Sequence, residues 1–271
     1  MGMDDVTNYK KNMVVKKQQA YSIVKSNDLI QKSRFQLTAQ EQKIIIYLVS
    51  KIMPGDDELK VYDLSVVEFC KVCEMDYESG ANYSHIKQTL KNLRDKSVWV
   101  MDEHGDEHLY SWIDKVVVSR RGGNVKIRLS DTMKPYLLQL KKNFTRYSLF
   151  YVLAMHSQYS IRMYEILKSY EFKGVCNFDL SELRVKLGAE KYTKHHDFMR
   201  RVVDTAMKEI NGSTDIEVSY TLEKIGRRYS GIVLKIKTIE DYSKQIKAND
   251  SASEKLTKKK LGRPRKKAEP E

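Results

Sequence analysis

A dense group of hydrogen-bond donors lies in the segment KYTKHHDFMRRVVDTAMKEIN, which begins at residue 191. Arginine can bridge the O6 and N7 atoms of guanine, and histidine or lysine can donate to bases or phosphates. Donors of these types on the first turns of one helix suit the reading of a DNA groove, although a solvated basic helix face is the alternative. The candidate DNA-contacting positions here are Lys194, His195, His196, Arg200 and Arg201.

Apolar spacing places these donors at the start of a helix that has a counterpart earlier in the chain. The segment HIKQTLKNL lies over VVDTAMKEI at an offset of 117. In both segments, apolar residues recur at helical spacing and predict one buried face. The matched residues are Ile86, Leu90 and Leu93 in the first segment, and Val203, Met207 and Ile210 in the second.

The match between the two halves extends upstream. LTAQEQKIIIYLVSKI aligns with SIRMYEILKSY at an offset of 117, and YDLSVVEFCKV aligns with FDLSELRVKL at 116. Thr38 followed by Glu41 predicts a helix start with a capping box, and Ser160 is the predicted cap of the matching helix. Each half then runs into a hairpin with an arginine pair near a glycine turn: Arg120 and Arg121, and Arg227 and Arg228.

Order, spacing and element type therefore indicate an internal duplication. Each half is predicted to contain a helix, a short strand, two helices and a twisted hairpin, the layout of a winged helix-turn-helix domain. The predicted fold class is α+β, with two tandem winged helix-turn-helix domains. We expect an N-terminal arm at 1–21, a first domain at 22–143, a second domain at 144–240 and a disordered basic tail at 241–271.

The first domain and the tail supply weaker candidates for DNA contact. The matching helix of the first domain is more polar and less charged, and its arginine pair could be only a surface feature. In the tail, GRPRKK resembles the core of an AT-hook, whose arginines lie along the minor groove, but a solubilising basic tail is the alternative. These candidates are Ser84, His85, Lys87, Gln88, Lys91, Arg120 and Arg121, and in the tail Arg263, Arg265, Lys266 and Lys267.

Charge and composition favour a polyanion as partner. The net charge is +13 over 271 residues, and residues 244–271 contribute +6 of it. Cationic side chains bind DNA by displacing condensed counterions from phosphates. The alternative is that this charge only keeps the protein soluble. No run of residues approaches the length of a membrane span, and no secretory signal is evident, so we expect a cytoplasmic protein with no membrane partner.

Catalytic and metal-binding motifs are not found. The chain lacks the phosphate-binding loop GxxxxGK[ST], the GxSxG elbow and HEXXH. Cys70 and Cys73, with His104 and His108, imitate a zinc-finger spacing, but the gap between the pairs is too long and the cysteines fit a helix core. We therefore expect no enzyme activity, no metal and no cofactor. Most of the aromatic residues between the basic ones are expected to pack in cores.

Three motifs in the right order resemble the iteron-binding plasmid replication initiators, a family built from tandem winged-helix domains. The resemblance covers about residues 22 to 238. Its strongest parts are VKSNDLIQKSRFQLTAQEQKIIIYLVSKI, YSIRMYEILKSY and FMRRVVDTAMKEINGSTDIEVSYTLEKIGRR. The family pattern matches Arg200, Arg201 and the Gly226-Arg227-Arg228 wing, fits the first domain's polar positions less well, and does not include the GRPRKK tail.

The resemblance implies how such a protein acts. A monomer would bind directly repeated origin sites in double-stranded DNA, chiefly through the second domain, and promote opening of an A·T-rich stretch. It would recruit the host initiator DnaA and the replicative helicase. A homodimer formed through the first domain would repress the protein's own gene, with chaperones controlling the monomer-dimer balance. A winged-helix repressor without initiation activity and a winged-helix protein-interaction scaffold stay open as alternatives.

Overall fold

The computed structural model of the protein describes residues 21–72, 82–119 and 123–239. The strands in these ranges pair in antiparallel fashion. They are β1 (Ser22–Ser26), β2 (Ser33–Arg34), β3 (Val61–Ser65), β4 (Ser97–Met101), β5 (Glu107–Ser111), β6 (Ile113–Ser119), β7 (Asn124–Leu129), β8 (Phe144–Ser148), β9 (Val175–Asp179), β10 (Ile216–Ile225) and β11 (Arg228–Thr238).

The helices include short segments as well as the long ones expected from the sequence. They are α1 (Asn27–Gln31), α2 (Ala39–Val49), α3 (Val66–Val72), α4 (Asn82–Arg94), α5 (Lys134–Leu137), α6 (Leu149–Ala154), α7 (Gln158–Tyr170), α8 (Leu180–Lys186), α9 (His195–Phe198) and α10 (Asp204–Ser213). A π-helical turn, Met199–Val203, joins α9 to α10, and short 3-10 turns lie at Asp131–Met133 and Glu171–Lys173.

The two halves of the chain repeat one topology. In the first, α2, β3, α3 and α4 lead to the hairpin β6–β7, and the sheet order is β3-β7-β6. In the second, α7, β9, α8 and the α9–α10 helix lead to β10–β11, and the equivalent strands lie in the matching order β9-β11-β10. The last hairpin is the wing in each half. The structure therefore confirms the tandem winged-helix fold expected from the sequence.

The first unit contains an additional hairpin that the alignment of the two halves did not reveal. Strands β4 and β5 lie between α4 and the wing and pair with the short strand β2. In the second unit, by contrast, β10 follows its third helix directly. The extra hairpin gives the first unit an outer sheet with β5 at one edge.

Of the two helix caps predicted from the sequence, the structure confirms the one at Thr38 and contradicts the one at Ser160. The Thr38 hydroxyl accepts from the Glu41 backbone N–H, and the Glu41 carboxylate accepts from the Thr38 N–H at 2.7 Å, which confirms the capping box. The cap predicted at Ser160 is wrong. Ser157 caps α7 through a bond from the Tyr159 N–H, whereas Ser160 is fully buried inside the helix. Apolar spacing extends through the first turn, so it could not locate the cap.

Strand pairing joins distant parts of the chain at the junction between the units. β1 pairs with β8 along its whole length, and the Asn27 N–H donates to the Asn143 carbonyl. This two-stranded sheet crosses the domain boundary expected between residues 143 and 144. The position of that boundary stays a prediction. The first helices of the two units also touch, because the Gln42 amide donates to the Gln158 carbonyl at 3.0 Å.

A buried charged cluster also lies at this junction. Arg162 on α7 is 2% exposed and donates to the Ser33 carbonyl at 2.8 Å and to the Lys186 carbonyl at 3.2 Å. Glu165, one turn further along, pairs with Lys25 at 2.6 Å. Burial lowers the pKa of Arg162 to about 10, so the side chain is charged at neutral pH. The cluster therefore joins strands of the first unit to helices of the second.

Candidate nucleic-acid interface

The third helix of the second unit carries the main group of candidate residues. It begins at His195, so Lys194 occupies the N-cap position and the residues before it lie outside the helix. This start is later than the segment from residue 191 that we predicted as helical. The helix is fixed against the core by apolar side chains that include Phe198, Val202, Ala206 and Ile210, all of them fully buried.

The two arginines of this helix lie within its π-helical turn. Met199 and Val202 are buried on either side of them, whereas Arg200 and Arg201 are both exposed. A π-helical turn has one more residue than an α-helical turn, and such turns occur frequently at functional sites. Arg200 and Arg201 therefore lie side by side on the solvent-facing side of this turn.

The exposed face of the helix is open to an anionic partner. Within the part of the chain that the structure describes, no carboxylate forms an ion pair with Arg200 or Arg201. Asp204, the next acid along the face, accepts a hydrogen bond from the Tyr220 hydroxyl at 2.8 Å. Partial burial together with this bond raises the pKa of Tyr220 to about 12, so the phenol remains a donor at neutral pH.

The wing of the second unit touches the start of the same helix. The Tyr229 ring stacks on the His195 ring, with centroids 4.9 Å apart and planes 12° apart. The Lys224 amine lies 4.6 Å from the centre of the Tyr229 ring, and Lys224 pairs with Tyr229 across the hairpin. We call these three residues the wing clamp. Sequence reasoning missed Lys224 and Tyr229, and it treated His195 as a free donor.

Two further contacts hold the helix and the wing in place. The Asn211 side-chain amide donates to the Val218 carbonyl at 2.8 Å and accepts from the Val218 N–H at 2.7 Å. The Arg184 guanidinium on α8 lies 4.7 Å from the centre of the Phe198 ring. Thus the base of the wing is hydrogen-bonded to the C-terminal part of the helix. The wing clamp joins the tip end of the wing to the N-terminal part of the same helix.

The tip of this wing is a short turn rich in basic residues. Ile225 pairs with Arg228, so Gly226 and Arg227 form a two-residue turn between them. Gly226 has a φ of +61°, which glycine adopts without the strain that a Cβ would cause. Arg227 and Arg228 are exposed. Ile225 is also exposed, by 77%.

The first unit presents its candidates on one helix face. On α4, Ile86, Leu90 and Leu93 are buried, as the alignment predicted. The Gln88 amide donates to the Asn92 side chain at 2.7 Å, within the exposed face. That face is polar, and its cations Lys87, Lys91 and Arg94 are spaced along the helix, whereas Arg200 and Arg201 are adjacent in the second unit. The exposed candidates on it are Ser84, His85, Lys87, Gln88 and Lys91.

Several predicted residues lie outside the described residues. They are Arg120, Arg121, Cys73, Arg263, Arg265, Lys266 and Lys267.

Two of the residues that imitate a zinc-finger spacing, Cys70 and His108, contact other protein groups. Cys70 is buried in the core. His108 lies on the additional hairpin, where its ring stacks against Tyr110 at 5.8 Å and its Nε2 is 3.0 Å from Asp102. Over the described ranges, no group of three or more potential metal ligands comes together. None of the helices in these ranges has the length and apolar character needed to cross a membrane.

Comparisons with known proteins agree with this architecture. A family model described as "Initiator Replication protein, WH1" matches residues 22–168. A second model, described as "Initiator Rep protein, WH2", matches residues 179–236. A replication initiation protein of Escherichia coli is 23% identical over 226 residues, which are 79% of this chain and 69% of that protein.

A solved structure has the same fold. The crystal structure of the Pi initiator protein in complex with iteron DNA superposes with a TM-score of 0.66 at 21% identity. The superposition covers 83% of this chain and 99% of that chain. At this identity the likeness establishes the fold, and it extends over both winged-helix units.

Proposed function

The chain belongs to the initiator replication protein family with two winged-helix domains, and on that premise we propose that it is a plasmid replication initiator that binds directly repeated origin sites. The proposal is that monomers bind double-stranded DNA chiefly through the second unit and open an adjacent A·T-rich stretch. The host initiator DnaA and the replicative helicase are then recruited in the cytoplasm, and no covalent chemistry by the chain is required.

One observation carries the DNA-binding proposal. Arg200 and Arg201 are exposed side by side near the start of the third helix of the second unit, and no described carboxylate neutralises them. The recognition helix of a winged domain enters the major groove by its N-terminal part. We propose that Lys194, His196, Arg200 and Arg201 contact bases or phosphates there. Arg227 and Arg228 would contact the backbone from the wing.

A gel-shift experiment with the full-length chain tests this proposal. The probe is the non-coding DNA beside the gene, searched for uniformly spaced direct repeats. Replacing both Arg200 and Arg201 with alanine should weaken specific binding by at least about 30-fold, since each good base contact contributes about 1–3 kcal/mol. Lys208→Ala, an exposed cation further along the same helix, is the matched control and should have a much smaller effect.

The dependence of affinity on salt separates the two kinds of contact. Each lost phosphate contact should reduce the slope of log K against log salt by about 0.9, whereas a lost base contact leaves the slope unchanged. If the double arginine variant bound the probe as tightly as the Lys208→Ala control, the placement of the DNA-reading helix would be wrong. A salt-independent affinity would instead favour a protein-interaction scaffold.

We also propose that the first unit forms a homodimer through its additional hairpin and that this dimer represses the protein's own gene, under the control of chaperones. Strand β5 lies at the edge of the sheet β2-β4-β5. Trp99, Met101 and Leu109, which belong to β4 and β5, are 39%, 45% and 53% exposed. An exposed strand edge with apolar neighbours is suited to pairing with a second chain.

Analytical ultracentrifugation of the full chain tests the dimer. Leu109→Lys should shift the population to monomers, because a charge would be buried at the paired edge. Val117→Lys is the control, since Val117 is 41% exposed but lies on the wing strand β6. Equal dimerisation by both variants would exclude the hairpin as the dimer surface.

Direct-repeat binding should survive in the Leu109→Lys variant and repression of the gene should be lost. Permanganate footprinting of the A·T-rich stretch then separates an initiator, which unpairs thymines there, from a repressor, which does not.

A further inference from the structure

An exposed isoleucine stands among arginines at the tip of the second wing. Ile225 is 77% exposed, and Arg227 and Arg228 follow it directly across the two-residue turn. Contact with phosphates is well served by arginine, but an isoleucine gains nothing from lying against charged oxygens. Single exposed apolar residues are common on protein surfaces, but at a tip that meets DNA an isoleucine is better suited to a partner other than the charged backbone.

The wing clamp determines where this tip lies relative to the helix. Lys224 and Tyr229 form the strand pair next to Ile225 and Arg228, and Tyr229 stacks on His195 in the first turn of the helix. Successive residues of a strand are about 3.3 Å apart. The tip is thus one residue step beyond the point where the wing meets the helix start. With the helix seated in the major groove, a tip held at the helix start would lie against the sugar-phosphate backbone that separates this groove from the adjacent minor groove.

Only side chains of the tip can enter a minor groove. The groove of B-form DNA is about 6 Å wide, whereas two paired strands with their side chains are wider. Apolar side chains that enter a minor groove act as wedges: they unstack a base step, widen the groove and bend the duplex. The register shift between Glu223 and Lys224 adds local twist and turns the tip relative to the rest of the wing.

We propose that Ile225 is a minor-groove wedge that partly unstacks one base step beside the site read by the helix, while Arg227 and Arg228 contact the flanking phosphates. The inference rests on the proposed DNA binding and adds a specificity to it. Pyrimidine-purine steps such as TA unstack most easily and A-tracts resist deformation. The chain therefore prefers a flexible step at the wedge position, and its binding bends the DNA there.

The probe is a duplex that the full-length chain selects from a random-sequence library, with 2-aminopurine placed at successive adenines beside the site. Unstacking raises the fluorescence of 2-aminopurine, and dyes at the two ends report bending by energy transfer. We expect a local fluorescence increase and a bend with the wild type. Ile225→Leu, which keeps an apolar wedge, should retain both signals, whereas Ile225→Ser should lose the increase and most of the bend.

Affinity gives a second measurement. Replacing the flexible step with an A-tract should weaken wild-type binding on the order of tenfold, but should leave the affinity of Ile225→Ser unchanged. Unaltered fluorescence, bending and step preference in Ile225→Ser would overturn the wedge while leaving DNA binding intact. Failure of the wild type to select any sequence would instead overturn the proposed function. Because Ile225 makes no core contact, thermal unfolding of both variants should match the wild type.

Discussion

Replacing Arg162 with alanine should strongly destabilise the protein. Arg162 is 2% exposed, and its guanidinium donates to the Ser33 hydroxyl at 3.1 Å as well as to the Ser33 and Lys186 carbonyls. It also lies 4.6 Å from the centre of the Phe35 ring. Alanine would leave two buried carbonyls without these donors and remove one of the cations beside Glu165. These contacts join the two winged-helix units, so the loss should extend beyond one of them.

The expected loss is about 2–6 kcal/mol, since leaving one buried polar group without its hydrogen-bond partner costs about 1–3 kcal/mol and the variant leaves two carbonyls without the Arg162 donors. A typical domain is stable by only about 5–15 kcal/mol. The matched control is Arg34→Ala, because Arg34 forms a 2.7 Å ion pair with Glu107 in which both side chains are well exposed. An exposed pair contributes about 0–1 kcal/mol. Arg162→Lys should recover part of the loss, because it keeps the charge without the planar fork.

Urea unfolding followed by two signals measures this effect. Both tryptophans, Trp99 and Trp112, belong to the first unit, so fluorescence reports on that unit while circular dichroism reports on the whole chain. The two transitions should coincide in the wild type and separate in Arg162→Ala, because the variant loses contacts between the units. A midpoint for Arg162→Ala equal to that of Arg34→Ala, with coincident transitions, would refute the reasoning.

Two further predictions concern a glycine and a carboxylate. Gly188→Ala should cost at least about 2 kcal/mol in urea unfolding, because its φ is +62° and the new Cβ would lie 2.8 Å from the Phe35 carbonyl oxygen. Gly226→Ala has a similar φ and open space, so a cost as large as that of Gly188→Ala would contradict this account. NMR titration should place the pKa of Asp102 at about 2, chiefly because of the hydrogen bond with His108. The folded pKa is below the unfolded value of about 4, so this stabilisation is complete above pH 4 and is lost as the pH falls through about 2. His108→Ala should raise the pKa of Asp102 towards 4, and an unchanged value would exclude His108 as the main cause.

The candidate site was predictable from the sequence only in part. Arg200 and Arg201 could be named as candidates because donors near the start of an amphipathic helix form a local pattern. The role of His195 could not, since its stacking partner Tyr229 lies more than thirty positions away and ring stacking leaves no periodic signal. Ile225 gave no signal either, because an isolated apolar residue in a hairpin is ordinary until its exposure and its neighbours in space are known.

The sequence by itself established the features that depend on residues close together in the chain. The capping box at Thr38 and the buried faces of the third helices depend on residues within a few positions of each other. The repeated order of these elements was therefore enough to predict two winged-helix units, because each element carries its own pattern.

Tertiary structure decided how the elements are joined. The pairing of β1 with β8, the burial of Arg162 between the units and the insertion of the β4–β5 hairpin all depend on contacts between distant segments. The helix cap at Ser157 and the π-helical turn at Arg200 were also decided at this level, because core packing selects among helical registers that the local sequence allows about equally. Contacts between distant segments depend on how well two folded surfaces fit each other. A short stretch of sequence contains only one of these surfaces, so it cannot predict the contact.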